Sequence, residues 1–131
     1  MKLSADSMAR VVAFLPYFQD ETMEKVVFSP DAVAGPYVYA EEVQRFVLAL
    51  YEEGIVYDFD WQGWRETAIT YLSDRSLIES ADLETICKLV TTIARAEKNT
   101  NGILGEMINK GVITDILKRL QELKVGLKLE C

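Results

Sequence analysis

The feature that most constrains the fold is a stripe of apolar residues at helical spacing, which recurs along most of the chain. In residues 40–53, apolar side chains fall at i, i+3, i+4, i+7 and i+8, and this pattern places them on one face of an α-helix. These residues are Val43, Phe46, Val47, Leu50 and Tyr51. Similar spacing predicts a first helix from residue 7 onward and further helices at residues 61–73, 81–97, 103–110 and from 112 or 114 to 124. Because such helices bury their apolar faces against each other, we expect an all-α fold, a single compact bundle of five to six helices over residues 1–131.

Short polar residues, glycine and proline indicate where these helices begin and end. Ser4 or Asp6 is the predicted N-cap of the first helix, and Pro16 should end or kink it. Gly54 follows the second helix and supplies a left-handed C-cap. The predicted N-cap of the fourth helix is Ser80 or Asp82.

Residues 22–39 form the least regular part of the sequence. Pro30 and the Gly35-Pro36 pair are turn signals in this segment. Residues 25–28 and 37–39 have the composition of short extended pieces, which would pair as a two-stranded ribbon. A mostly irregular loop is the equal alternative, because an isolated ribbon is marginally stable.

The composition excludes several classes of protein. The chain has two cysteines and no histidine, so it lacks the commonest general base and the commonest metal ligand. We therefore expect no catalytic residues, no metal site and no cofactor, and we expect Cys87 to be a small core hydrophobe. The net charge of −7 opposes binding to nucleic acid, and no apolar run approaches the length that spans a bilayer. A cytoplasmic protein without nucleic-acid or membrane partners is the expectation.

The segment YDFDWQGW, residues 57–64, concentrates four aromatic residues and two aspartates. Alternation in residues 55–61 predicts a short extended segment with its rings on one side and both aspartates on the other. In a functional interpretation, Asp58 and Asp60 hold a hard cation or act as general acid and base. In a structural one, the rings bury against the bundle and Asp60 caps the third helix. We favour the structural interpretation, and leave open a partner-binding rim formed by Asp58, Asp60 and Trp61.

A second group of candidate binding residues lies near the end of the fourth helix. Thr91, Arg95 and Lys98 fall at i, i+4 and i+7, and we expect them to share a face that points away from the apolar stripe. Together with the backbone N–H groups of the following Asn-Thr-Asn-Gly turn, they would form a weak anion pocket. A solvated helix end is the simpler interpretation, and we favour it.

Four motifs together carry a resemblance to a known family: FLPYF (14–18), YDFDW (57–61), SADLETICKLVTT (80–92) and GVITDILKRLQEL (111–123). In this order they resemble a family of small uncharacterised prokaryotic proteins that is classed only as a domain of unknown function. The resemblance covers most of the chain and implies no activity, cofactor or partner. Members of that family tend to carry a histidine near Ile93, followed by an arginine, an acid and a base. Arg95, Glu97 and Lys98 match this pattern, whereas Ile93 departs from it.

Two functional hypotheses follow from these observations. We favour a non-enzymatic, acidic helical binding or regulatory module whose charge suits a basic protein partner. The alternative is a small ligand-binding protein or enzyme that uses Asp58 and Asp60 with Arg95 and Lys98 on an anionic or metal-bound ligand. The alternative requires these side chains to converge on one concave pocket.

Overall fold

The computed structural model describes residues 3–31 and 35–130, with side chains up to Gly126. Seven α-helices lie in these residues: α1 (Ala5–Val12), α2 (Leu15–Gln19), α3 (Glu41–Glu52), α4 (Arg65–Ser73), α5 (Leu83–Asn99), α6 (Ile103–Asn109) and α7 (Val112–Glu130). Two short strands, β1 (Val26–Phe28) and β2 (Tyr37–Tyr39), precede α3, and a 3-10 helix (Arg75–Ser80) follows α4. The fold is mostly α-helical with a short β-ribbon, as the sequence predicted.

The buried apolar residues form one cluster, and α7 is the element that most of the others contact. It packs against α1, α2, α5, α6 and the 3-10 helix. Its residues Ile116, Leu117 and Leu120 are almost completely inaccessible to solvent. The apolar stripes found in the sequence are therefore the surfaces that hold the helices together.

Two helices have side-chain N-caps at residues that were predicted from the sequence. The Ser4 hydroxyl accepts a hydrogen bond from the Ser7 amide at 3.0 Å and caps α1. The Asp82 carboxylate accepts one from the Thr85 amide at 2.8 Å and caps α5, so Asp82 rather than Ser80 is the N-cap. Such caps stabilise a helix by about 1 kcal/mol relative to alanine.

The first predicted helix is in fact two helices. α1 ends at Val12, and Pro16 lies in the first turn of α2 instead of near the end of α1. Proline suits that position because the first backbone N–H groups of a helix have no intrahelical acceptor. This division accounts for one of the helices beyond the expected five to six.

Residues 22–39 contain the ribbon rather than a wholly irregular loop. β1 and β2 pair antiparallel, with Val26 opposite Tyr39 and Phe28 opposite Tyr37. Residues 32–34, which belong to the same predicted segment, lie outside the described residues. The ribbon packs through Val26 and Tyr39 against the core, while Val27, Phe28 and Val38 are exposed.

The corner at residues 55–64 differs from the prediction in two respects. Ile55 and Val56 are both buried, so the segment has no solvent-exposed side where it starts. The third helix begins at Arg65, not at Trp61, because residues 61–64 form a turn. The Asp60 carboxylate accepts a hydrogen bond from the Gly63 amide at 3.1 Å, and it therefore caps this turn and not the helix.

Candidate functional site

The aromatic residues of the corner form a packed row on the side of the bundle. Tyr57 stacks on Phe59 with ring centroids 5.2 Å apart, Phe59 meets the edge of Trp64 at 6.2 Å, and Trp64 stacks on Tyr71 at 6.2 Å. All four rings are partly buried. Pairs of this geometry add about 0.5–1.5 kcal/mol each to the burial of their surface. The row therefore connects the corner to α4 as a structural element.

Thr91 supports the same corner from within. Its side chain is completely buried, its hydroxyl donates to the Ile55 carbonyl at 3.3 Å, and it accepts from the Tyr57 amide at 3.3 Å. Thr91 therefore does not share a solvent-exposed face with Arg95 and Lys98. The middle of α5 is buried on every side, so position on the helix does not separate a core face from a solvent face there.

The other candidate residues lie close to one another at the surface. The Arg95 guanidinium contacts the exposed Asp58 carboxylate at 3.2 Å, and both residues line a shallow hollow together with Trp61. Asp60 is exposed and its carboxylate bonds within its own turn. The Lys98 ammonium lies over the Tyr51 ring, 4.8 Å from its centroid. Within the described residues, no group of three or more acidic or cysteine side chains is placed to hold a metal ion.

A second cavity, of about 420 Å³, lies among β2, α3, α5, α6 and α7, and both Tyr51 and Lys98 line it. Its lining is mostly apolar and includes core side chains from three helices: Val43, Phe46, Leu50, Ile93, Ile116, Leu117 and Leu120. Exposed side chains of Val38, Gln44 and Lys98 also line it and mark the part that faces solvent. The cavity thus has an apolar interior and a polar rim.

Glu97 is the one carboxylate in the described lining, and its oxygens are fully engaged. They accept hydrogen bonds from the Tyr39 hydroxyl at 2.8 Å and the Asn101 amide at 3.1 Å. They also accept from the backbone amides of Gly102 at 3.0 Å and Leu104 at 2.8 Å, at the start of α6. Glu97 therefore joins the ribbon to α5 and α6, and it offers no free oxygen to a ligand.

The ribbon is fixed over the cavity by two further sets of contacts. The Asn101 side chain pairs with the Tyr37 backbone in both directions, accepting from its amide at 2.7 Å and donating to its carbonyl at 3.2 Å. The Tyr39 hydroxyl accepts from the Gly105 amide at 3.0 Å. Burial, assisted by the Glu97 carboxylate, raises the pKa of the Tyr39 hydroxyl well above its ordinary value. Tyr39 therefore stays protonated as a donor at physiological pH.

One polar atom of the cavity is buried without a partner. The Tyr51 hydroxyl has no hydrogen-bond partner in the described part of the chain, although it is inaccessible to solvent. Buried hydroxyls in proteins are almost always paired, so this one would gain from an acceptor if a bound molecule shifted the Tyr51 side chain enough to reach it.

Sequence reasoning missed this cavity, although it named Lys98 as a candidate. Tyr51 was assigned to the apolar stripe of its helix, where its hydroxyl was not considered. Glu97 was noted only as part of a resemblance. A partial signal existed in the tyrosines at positions 37, 39 and 51, which combine apolar bodies with polar ends.

No helix in the described part of the chain is long and apolar enough to cross a membrane. No curated protein and no solved structure matches the chain. A family model described as "Family of unknown function (DUF6508)" matches residues 3–125, which include all four motifs noted in the sequence. The resemblance to a family of unknown function is confirmed, and the chain belongs to this family.

Proposed function

We propose that this protein is a non-enzymatic binding module whose cavity takes a small, largely apolar molecule. The observation that carries the proposal is the cavity of about 420 Å³ with its aliphatic lining. Its volume falls within the range of about 300–1,000 Å³ that is usual for ligand sites. Each methylene group that a ligand buries there contributes about 0.8 kcal/mol to binding.

The polar groups around the cavity support binding over catalysis. Glu97 is engaged by four donors, and the Gln44 amide donates to the Tyr39 carbonyl at 2.9 Å. These side chains have structural partners and are not placed to transfer a proton to a bound molecule. Three polar groups of the lining have no such partner among the described residues: the Lys98 ammonium and the hydroxyls of Tyr37 and Tyr51. Tyr37 is an exposed residue, whereas the Tyr51 hydroxyl is buried.

A pair of neighbouring substitutions on α3 tests the proposal. Val47 lines the cavity, whereas Leu48 is 57% exposed and lies outside it. Binding of the neutral dye N-phenylnaphthylamine would be followed by its fluorescence, which rises in an apolar site. We expect the wild type and Leu48→Trp to bind the dye, and Val47→Trp, which places an indole in the cavity, to lose binding.

Circular dichroism would establish that both variants are folded, and Val47→Phe would replace Val47→Trp if the larger ring prevents folding. Equal dye binding by the folded Val47 variant and the wild type would refute the proposal. Absence of dye binding to the wild type would refute it as well.

A basic protein partner is a second candidate function, and the exposed ribbon is the observation that favours it. Phe28 is 62% exposed, and Val27 and Val38 beside it are also exposed. The chain carries a net charge of −7, so a partner with basic residues around an apolar contact would complement it. When the protein is isolated from native cells, we expect the same basic protein to accompany the wild type in fixed stoichiometry. The control variant Ile69→Ser should retain this partner, and Phe28→Ser should lose it. Retention by the Phe28 variant, or a free monomer from all three preparations, would contradict this role.

We also propose a cytoplasmic location. What supports it is the free thiol of Cys87, since unpaired cysteines are usual in a reducing compartment. Recovery of the native protein from an oxidising compartment would contradict this proposal.

A further inference from the structure

We infer that the ligand of this cavity is an aliphatic monocarboxylate whose head group is recognised by Lys98 and the Tyr51 hydroxyl. The inference rests on the proposed binding function and specifies the ligand class. It rests on the unpaired hydroxyl, the cation beside the Tyr51 ring, the donors that surround Glu97, and the aliphatic lining.

The Tyr51 hydroxyl supplies the first part of the head-group site. It is buried, it belongs to a residue that lines the cavity, and it has no partner in the described residues. A buried donor that lacks an acceptor is unfavourable, and an acceptor oxygen on a ligand would relieve it. The hydroxyl is closed to water in the structure, so a ligand oxygen would reach it through a small shift of the Tyr51 side chain on binding.

Lys98 supplies the charge. Its ammonium lies 4.8 Å from the centroid of the Tyr51 ring, and both residues line the cavity. No carboxylate of the described residues lies within ion-pair distance of Lys98. Arg95 also approaches the Tyr51 ring, at 5.7 Å, but its guanidinium contacts Asp58. Lys98 is therefore the uncommitted cation beside the Tyr51 ring.

Glu97 is the group that would oppose an anionic ligand, and its contacts reduce that opposition. It lines the same cavity, but four donors surround its carboxylate: the Tyr39 hydroxyl, the Asn101 amide and the backbone amides of Gly102 and Leu104. Donors that point at a carboxylate offset its charge locally. The Lys98 ammonium therefore remains available to a second carboxylate.

The size and lining of the site select among anions. A carboxylate has two oxygens, which match one hydroxyl donor and one ammonium. A phosphate would bring more charge into a rim with few donors, which is unfavourable beside apolar side chains. The interior is formed mainly by branched aliphatic side chains such as Val43, Leu50 and Ile93, which suit a flexible hydrocarbon chain.

Competition between three ligands with the same chain and different head groups tests the inference. Decanoate, decanol and decylamine would each displace N-phenylnaphthylamine from the wild-type protein, below their micelle-forming concentrations. A charge-assisted hydrogen bond corresponds to about a tenfold or larger change in affinity. We expect decanoate to bind at least about tenfold more tightly than decanol, and decylamine to bind most weakly.

Matched variants assign the effect to the two residues. Lys98→Met should remove most of the advantage of decanoate over decanol without changing decanol binding, and Lys98→Gln serves as a second variant. Lys118→Met, which removes an exposed lysine outside the cavity, should leave that advantage intact. Tyr51→Phe should weaken binding of decanoate by about tenfold, while Tyr71→Phe should not.

The possible outcomes separate the inference from the function on which it rests. If decanol binds as tightly as decanoate, the head-group inference is overturned while the cavity remains a binding site. If decanoate keeps its advantage in both Lys98 variants, the assignment of Lys98 is overturned. If neither the dye nor any of the three ligands binds, the proposed function itself fails.

Discussion

Replacement of Glu97 by alanine should strongly destabilise the protein. The carboxylate accepts from the Tyr39 hydroxyl and from two backbone amides at the start of α6, all within 3.0 Å, and from the Asn101 amide at 3.1 Å. Alanine would leave these donors without an acceptor. A hydrogen bond to a charged group contributes about 1.5–3 kcal/mol, and neighbouring contributions are not additive. Since water can reach part of this site, we expect a loss of about 3–5 kcal/mol in the free energy of unfolding.

Two comparison variants make this prediction specific. Glu97→Gln keeps one acceptor oxygen but loses the charge and the bond from Asn101, so we expect a smaller loss of about 1–2 kcal/mol. Glu52→Ala changes an exposed residue and should alter the free energy of unfolding by less than about 0.5 kcal/mol. Urea denaturation followed by circular dichroism would measure all three. In a thermal scan, Glu97→Ala should melt about 10–20 °C below the wild type.

The result that would refute this reasoning is an unfolding midpoint for Glu97→Ala equal to that of Glu52→Ala. The network around Glu97 would then be replaced by water without loss, and the carboxylate would not hold the ribbon on the bundle. A loss for Glu97→Gln as large as that for alanine would instead indicate that charge, and not the number of acceptors, is decisive.

Three further predictions concern the helices and the corner. Thr91→Val keeps the shape of the side chain and removes its hydroxyl, so two backbone groups of the corner lose their hydrogen-bond partner. We expect urea denaturation to show a loss of about 1–3 kcal/mol in the free energy of unfolding. An unchanged unfolding midpoint would contradict this prediction. Asp82→Ala should lose about 1 kcal/mol near neutral pH. Hydrogen bonds from Thr85 lower the pKa of the Asp82 carboxyl in the folded protein below its ordinary value of 3.8, so the cap is fully effective above pH 3.8. As the pH falls through this lowered pKa, the difference in free energy of unfolding between wild type and Asp82→Ala should vanish. Burial raises the pKa of the Cys87 thiol to about 12, so in a Cys131→Ser variant this thiol should react with a disulfide reagent only after unfolding.

The helices could be predicted from the sequence because their determinants are local. Apolar spacing located α3 to within a residue or two at each end, and Gly54, which has φ +78°, follows it as the left-handed residue that was expected. The ribbon strands also fell where the composition indicated. The start of α4 was misplaced because Asp60 caps a turn, and the sequence does not distinguish a capped turn from a capped helix.

The cavity could not be predicted because its determinants are distant in the sequence. The Tyr39–Glu97 bond joins residues 58 positions apart, and the Asn101–Tyr37 pair joins residues 64 positions apart. Which side chains surround the Tyr51 hydroxyl depends on how α3, α5 and the ribbon pack, and helical periodicity carries no information about that. Thr91 was misassigned for a related reason. Apolar periodicity identifies a solvent-exposed face only where a helix is partly exposed, and the middle of α5 is buried all round.

The proposed function requires an apolar ligand to enter this cavity, and methyl NMR tests this requirement directly. Ile93, Ile113 and Ile116 line the cavity, whereas the exposed Ile69 and the fully buried Ile78 lie outside it. Titration of decanoate into protein with labelled isoleucine methyl groups should shift the signals of the first three residues and leave the other two in place. Unchanged signals at all five positions, or shifts confined to Ile69, would contradict binding in the cavity.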